Sequence, residues 1–266
     1  MDNYLSIIKK EIEEKTILLG THINLRENII PEIMGKIGFD FLWIDMEHTS
    51  LNKESVQNHL ISCSAASIAS FVRIPIKDST LVRPVLEMNP SAIVFPFIMN
   101  AEDAKKAVES CKYPPKGKRG FGPKRANYYG LMELDDYIKN ADSNIWVIIQ
   151  IEHTDAVKNL DEILKVDGID SIVVGPNDLS ASIGLLGKLK HPRVKKLMDD
   201  IAYKTHNHNK PLGVSMGFDL ENIEDWINRG VAWITIGTDI SCLIDGAKKI
   251  MKVTKELISK YKQEFD

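Results

Sequence analysis

Residues 145–181 read IWVIIQIEHTDAVKNLDEILKVDGIDSIVVGPNDLSA, and they decide the fold. Trp146–Ile151 and Ser171–Val174 are apolar runs of strand length, the pattern of parallel strands buried on both faces. Between them Val157, Leu160, Ile163 and Leu164 recur at helical spacing, so the unit is strand–helix–strand. The first run delivers Glu152, and the second, after Gly175-Pro176-Asn177, delivers Asp178. Neighbouring parallel strands set these carboxylates side by side at their C-terminal ends, where α/β folds keep their chemistry. Two hard oxygen ligands on rigid supports suit Mg²⁺ or Mn²⁺ better than zinc. The plain structural alternative is a strand-end acid and, at Asp178, a cap for a short helix.

Composition narrows the class. The chain has 266 residues, 44% hydrophobic and 27% charged, as expected of a globular protein. A formal net charge of −3 offers no electrostatic footprint for nucleic acid. No run approaches the ~18 apolar residues of a membrane span. MDNYLSIIKKEIEEK at the start reads as a charged amphipathic helix rather than a signal peptide. Cys63, Cys111 and Cys242 are scattered and unpaired in spacing, which fits reduced thiols in a cytoplasmic protein. No linker rich in Gly, Ser or Pro divides the chain, so residues 1–266 are expected to form one domain.

Working outward, strands are expected at Thr16–Ile23, Phe39–Ile44, Ser70–Ile74, Ala92–Phe97, Pro211–Ser215 and Ala232–Ile236. Helical patterns separate them: Asn28–Ile37, Lys53–Ala66, Thr80–Met88 (with Pro84 as a kink or first-turn residue), a helix from the cap Asn100 to Cys111, Val194–His206, and one around Leu220–Ile227 stopped by Gly230. With the central pair, eight strands alternate with helices, which predicts a (β/α)₈ barrel. An open doubly wound sheet is the alternative, but no GxGxxG follows the first strand. Residues 112–130, KYPPKGKRGFGPKRANYYG, are long and rich in Gly, Pro, cations and aromatics, and read as a functional loop over one end of the barrel. The last helix, Cys242–Lys262, carries an apolar face from Ile244 to Tyr261 beyond what a barrel needs, which predicts a homo-oligomer built through it.

The strand ends collect His22 and Asn24, then Asp45, Glu47 and His48, then Arg73, Gln150, Glu152, and Gly175 to Asp178. This set holds a candidate acid/base, a fixed cation, a carboxylate pair and a Gly-Pro turn able to present N–H groups to an anion. His48 and Arg73 also fit bland roles, a packed histidine and an ion pair with Asp45 or Glu47. His153, His206 and His208 read as surface residues, and His22 carries no assignment.

FDFLWIDMEH (39–48), FVRIP (71–75), YPPKGKRGFGPKRA (113–126), QIEHTDAVKNLDEIL (150–164) and GIDSIVVGPNDLSASIG (168–184) together resemble the HpcH/HpaI family of class II pyruvate aldolases, typified by 2,4-dihydroxyhept-2-ene-1,7-dioate aldolase. The resemblance runs from about Leu18 to Asp239. It implies that Glu152 and Asp178 bind a divalent metal (Mg²⁺, Mn²⁺ or Co²⁺), that His48 is the acid/base, and that Asp45 orients it. It further implies that Arg73 faces the enolate oxygen, that Gln150 lies by the substrate, that Gly175, Pro176, Asn177 and Asp178 hold the pyruvate carboxylate, and that Arg119 sits at the site mouth. A hexamer built from dimers is the implied assembly. Met46 and the RGFG sequence at 119–122 depart from the usual family pattern, and both bear on the aldehyde partner, as do loop 112–130 and Phe218.

The implied reaction cleaves a 4-hydroxy-2-oxo acid to pyruvate and an aldehyde. The metal would act as a Lewis acid, Arg73 would supply fixed positive charge, and His48 would take the hydroxyl proton. No strand-end residue is a lysine able to form a Schiff base. The alternatives are an acyl-CoA lyase of the citramalyl- or malyl-CoA type, with Lys116, Lys118, Lys124 and Arg125 as nucleotide-binding cations, an oxaloacetate decarboxylase, or a non-catalytic metabolite-binding barrel.

Overall fold

A computed structural model of the chain describes residues 4–14, 16–75 and 79–263. Residues 1–3 and 15 of the expected N-terminal helix lie outside the described residues. The strands are β1 (Leu18–Ile23), β2 (Phe41–Asp45), β3 (Ala69–Arg73), β4 (Ala92–Phe95), β5 (Trp146–Ile151), β6 (Ser171–Val174), β7 (Leu212–Met216) and β8 (Trp233–Thr238). They pair in parallel and in chain order, and β8 closes on β1, which makes the expected barrel.

The helices are α1 (Tyr4–Glu13), α2 (Ile29–Ile37), α3 (Lys53–Ala65), α4 (Ser79–Glu87), α5 (Ala101–Cys111), α6 (Leu134–Ala141), α7 (Thr154–Lys158), α8 (Leu160–Leu164), α9 (Pro176–Ala181), α10 (Pro192–Asn207), α11 (Leu220–Asn228) and α12 (Asp239–Gln263). The single helix expected between β5 and β6 is two, α7 and α8, broken at Asn159. Pro84 lies inside α4. The helix α6 was not expected, because its two apolar residues, Leu134 and Ile138, are left exposed and only Tyr137 and Ala141 are buried. Among the described residues no helix is long and apolar enough to cross a membrane.

Strand side chains alternate, so the barrel has an inner and an outer apolar layer. The inner layer is aromatic. Phe41 stacks on Phe71 at 4.5 Å, and Trp233 meets the two edge-on at 5.5 and 5.6 Å. Such bulk fits because glycine stands opposite it. A Cβ on Gly20 would lie 2.4 Å from the Phe41 ring, and one on Gly213 would lie 2.1 Å from Trp233. At the N-terminal end of the strands Leu5 and Ile8 of α1 join this layer beside Leu18, so α1 plugs the bottom. The other end is left for polar residues.

The second half of the long loop does not cover that polar end. Arg125 donates to the carbonyls of Met88, just past α4, and of Leu60, in the second half of α3. Arg125 and Tyr128 share a cleft with Tyr4 of α1 and with Ser70, Ser91 and Asn144, which stand where strands begin. The second half of residues 112–130 therefore lies at the barrel's N-terminal face, away from the strand ends that carry Glu152 and Arg73. Its Gly-Pro-aromatic composition reflects a chain reversal, with left-handed backbone at Tyr128 and Tyr129.

The interior packing sets a test. Gly213→Ala forces a methyl against the rigid Trp233 indole and is expected to cost about 1–3 kcal/mol, read as a lower urea midpoint at unchanged slope.

Candidate active site

The mouth is built from inward positions at the top of the strands. Asp45 and Arg73 are register partners at the ends of β2 and β3. Arg73 Nε donates to Asp45 Oδ1 at 3.0 Å and Nη2 to Oδ2 at 2.7 Å, while Nη1 lies 3.1 Å from Glu47 Oε2. Arg73 is only 7% exposed, and its guanidinium carbon stands 5.5 Å from the Trp43 ring centroid. Burial opposes the charge on Arg73, but Asp45 and Glu47 outweigh it and hold the guanidinium above its ordinary value. For Asp45 burial again acts first, and the Arg73 bonds overcome it, so its carboxyl stays below the usual range. Two acids around one arginine leave N–H groups on its terminal nitrogens for a ligand.

Across the mouth lies Glu152, 2% exposed. The Phe97 N–H donates to its Oε1 at 2.9 Å, and Gln150 Nε2 donates to its Oε2 at 2.5 Å. Phe97 holds a left-handed φ of +52° just beyond β4, a cost of ~1 kcal/mol or more that places its N–H on the carboxylate. Burial pushes the Glu152 carboxyl up to about 7; the Phe97 bond opposes this, and the charges of Asp178 and Glu47 add to it. Glu47 is also raised, first by burial, with Arg73 and His48 acting against it and Asp45 and Asp178 with it.

Three observations bear on whether this corner fits a divalent cation. Glu152 and Asp178 are hard oxygen donors whose charges repel in the absence of a cation. Gln150 Oε1 is buried with no hydrogen-bond partner. Gly175 keeps the space clear, since a Cβ there would lie 2.6 Å from Glu152 Oε2. Among the described residues no group of three or more His, Cys, Asp or Glu side chains is gathered for a metal. The donor set is therefore a two-carboxylate one, which fits Mg²⁺ or Mn²⁺ completed by water and substrate and does not fit a closed zinc site.

Three expectations need correction. Asp45 does not orient His48: its oxygens serve Arg73 and the backbone N–H groups of Glu47 and His48, and the acid beside the imidazole is Glu47, at 3.6 Å. The reason is alternation. Asp45 is the last inward residue of β2, whereas His48 lies three residues past the strand with its side chain 64% exposed. Arg119 does not offer its guanidinium to the mouth. The residue is 5% exposed, and its guanidinium donates to Tyr137 at 3.1 Å and Glu87 at 3.3 Å and lies over the Tyr113 ring. The departures at Met46 and Phe121 also miss the mouth: Met46 packs in the outer layer, and Phe121 is exposed beside Tyr113. His153, His206 and His208 are outside it as expected, His153 capping α7 and His206 meeting the Arg229 carbonyl.

Sequence reasoning passed over one pair. His22, inward at the end of β1, meets the Gly237 carbonyl through Nδ1 at 2.9 Å and Ser215 Oγ through Nε2 at 3.1 Å. Its ring lies 5.2 Å from Trp43. Burial lowers its pKa to about 4; the Gly237 bond opposes this, and the nearby Arg73 charge assists it. The available signal was position: Ser215 is two residues beyond Gly213, on the same inward face of β7.

Comparison with known proteins matches this architecture. The chain is an enzyme of the carbon–carbon lyase class, since its curated relatives are aldolases. It belongs to the HpcH/HpaI aldolase/citrate lyase family, whose pattern matches residues 19–246. The hydroxypyruvate/pyruvate aldolase of Roseobacter denitrificans is 30% identical over 95% of this chain and 98% of its own. The 5-keto-4-deoxy-D-glucarate aldolase of Enterobacter sp. is 31% identical over 94% of this chain and 96% of its own. A solved HpcH/HpaI aldolase/citrate lyase family protein from Burkholderia cenocepacia superposes with a TM-score of 0.88 at 28% identity, over 94% of this chain and 99% of that one.

The buried neutral His22 predicts acid sensitivity. Its folded pKa lies below the unfolded value of 6.5, so the unfolded chain binds more protons between pH 6.5 and about 4. That contribution is whole above pH 6.5 and is lost as pH falls toward 4, a difference of about 3 kcal/mol by linkage. Urea unfolding of the wild type and of His22→Gln at both pH values should show the variant with the shallower loss.

Proposed function

We propose that this chain is a divalent-cation-dependent aldolase that cleaves a 4-hydroxy-2-oxo acid into pyruvate and an aldehyde. The observation that carries the reading is the pairing of a buried, charged Arg73 with the Glu152–Asp178 acid corner at one barrel mouth. Glu152 and Asp178 would hold the cation, and such a cation acts as a Lewis acid on a 2-oxo acid.

The remaining work falls to the chain's own groups. The first-turn N–H groups of Asn177 and Asp178 have no intrahelical partner and would receive the substrate carboxylate; Pro176 has no N–H, and Gly175 keeps the approach open. As the C3–C4 bond breaks, its electron pair moves to C3 and negative charge develops on the C2 oxygen. Arg73, fixed by Asp45 and Glu47, meets that charge with free N–H groups and without reorganisation. His48, at the open rim with Glu47 beside it, takes the proton from the C4 hydroxyl as the aldehyde forms. A proton then returns to C3 and completes pyruvate. Gln150 holds Glu152, and its buried, unpartnered Oε1 would be available to the ligand.

Three of the four cations offered for the acyl-CoA alternative are already partnered. Lys118 is paired with Glu109, Lys116 with Asp142, and Arg125 with the Met88 and Leu60 carbonyls at the opposite face. The names of the two curated relatives also support the free-acid reaction. The cytoplasmic location belongs to the same proposal, supported by three cysteines that form no disulfide.

The proposal extends to a homo-oligomer. From Cys242 to Tyr261 every residue of α12 is exposed, including Ile250, Leu257 and Ile258. Leu19 of β1 and Ile29, Ile33 and Ile37 of α2 are also exposed, on the side where a barrel's last helix would cover its closing strands. A second copy supplying its α12 satisfies both surfaces, and a hexamer of such dimers is the larger assembly we expect.

Pyruvate release from 4-hydroxy-2-oxo acids, coupled to lactate dehydrogenase, tests the reaction. Cleavage should collapse in EDTA and return with Mg²⁺ or Mn²⁺, and Arg73→Ala should lower kcat/KM by about 10²–10³-fold. Cleavage indifferent to thorough metal stripping would remove the cation from the scheme. For the assembly, sedimentation should show an oligomer that Leu257→Glu with Ile258→Glu shifts to monomer; a monomeric wild type would reject it.

A further inference from the structure

The His22–Ser215 pair lies in the mouth and has no part in the mechanism above. Both side chains are inward. His22 is two residues beyond Gly20, whose Cβ would strike Phe41, and Ser215 two beyond Gly213, whose Cβ would strike Trp233. Val173 pairs with Gly213, so Ser215 stands level with Gly175, the residue beside Glu152. His22 faces Trp43, the same ring that Arg73 covers. The pair therefore borders the space between the arginine clasp and the acid corner.

Its hydrogen-bond polarity is set by the backbone. On the β1–β8 ladder Gly20 pairs with Thr235 but His22 with Thr238, so β8 holds one extra residue there. Within that bulge Gly237 takes a left-handed φ of +61°, and its carbonyl meets His22 Nδ1. A carbonyl only accepts, so Nδ1 carries the proton. With the imidazole neutral, Nε2 is bare and can only accept, and so Ser215 donates its hydroxyl proton to it. Burial and the Arg73 charge both keep the ring neutral. Ser215 has then spent its one donor. What remains are its oxygen lone pairs, at a half-buried position facing the mouth.

We infer that Ser215, polarised by His22, is an acceptor for a hydroxyl group on the substrate, and that it selects substrates hydroxylated beyond the bare pyruvate–aldehyde skeleton. His22 is a positioning residue in this arrangement; Ser215 makes the contact. The inference rests on the aldolase reading. The recognised hydroxyl belongs either to the 2-oxo acid half or to the aldehyde half, and the shared chemistry is a neutral O–H donor next to a carbonyl carbon. An apolar substrate leaves the Ser215 lone pairs desolvated and unmatched, which a site of this kind penalises.

The test runs the reaction in the direction of aldol addition with Mn²⁺-supplied enzyme. Hydroxypyruvate is compared with pyruvate as the nucleophile, and glycolaldehyde with acetaldehyde as the acceptor. The readout is the ratio of kcat/KM within each pair, which cancels general damage from a substitution. The wild type should prefer the hydroxylated member of one pair by about tenfold, the worth of one neutral hydrogen bond, and that pair identifies the half recognised. Ser215→Ala and His22→Phe should both bring the ratio toward one, and Ser215→Thr should retain it. If His22→Phe does not fold, Ser215→Ala and Ser215→Thr still decide. Nitrogen NMR of the His22 ring should show a protonated Nδ1 and a bare Nε2 at pH 7. Equal ratios in the wild type, a preference that survives Ser215→Ala, or a doubly protonated ring overturns the inference. No addition with any pair overturns the aldolase reading and takes this one with it.

Discussion

In a closed parallel barrel a side chain can point only inward or outward, and it changes direction with every residue. Nearly everything at the mouth follows from that constraint. Gly20 and His22, Trp43 and Asp45, Phe71 and Arg73, Ile148 and Gln150, Gly213 and Ser215 are inward pairs, each with its apolar or small member lower and its polar member higher. The lower members are dry and tightly packed around Trp233, Phe41 and Phe71. The upper members are buried by the same wall, so their charges are strong and must find partners. The aromatic floor thus does two jobs: it closes the barrel, and it supplies the low-dielectric setting in which Arg73 and Glu152 sit.

The two charged groups answer burial in opposite ways. Arg73 has two acids within 3.1 Å and stays charged, and its charge costs little further rearrangement when a ligand arrives. Glu152 has two neutral donors and acidic neighbours, so its carboxyl is driven up to about 7. A mouth with one arginine already paired to two acids and one under-compensated acid corner carries excess negative charge, which a cation at the corner would offset. The proposed divalent ion answers that demand, and Arg73 keeps oriented N–H groups for an oxyanion held beside it.

Residues away from the mouth show how local composition misleads. The 112–130 segment has the glycines, prolines, cations and aromatics of a binding loop, yet Lys116, Lys118, Arg119 and Arg125 are spent on Asp142, Glu109, Glu87 and the Met88 carbonyl. Composition records what a segment is able to do, and packing decides what is left over to do it. The same holds for Asp45 and His48, three residues apart in sequence. Their closeness suggested a dyad, but the end of β2 falls between them and turns one inward and leaves the other at the rim.

By itself the sequence determined the barrel, its eight strands, the strand-end acids and arginine, and the exposed apolar face of the last helix. These depend on periodicity and on which residues end apolar runs, and both are local properties written in the order of residues. Only the tertiary structure decided which acid stands beside His48, which face of the barrel the second half of loop 112–130 lies on, and that Arg119 is internal. It alone joined His22 to Ser215 and Gly237, residues some two hundred positions apart in the chain. Those relations arise where β8 closes on β1 with one residue to spare, and no local pattern reports the register at which a barrel shuts.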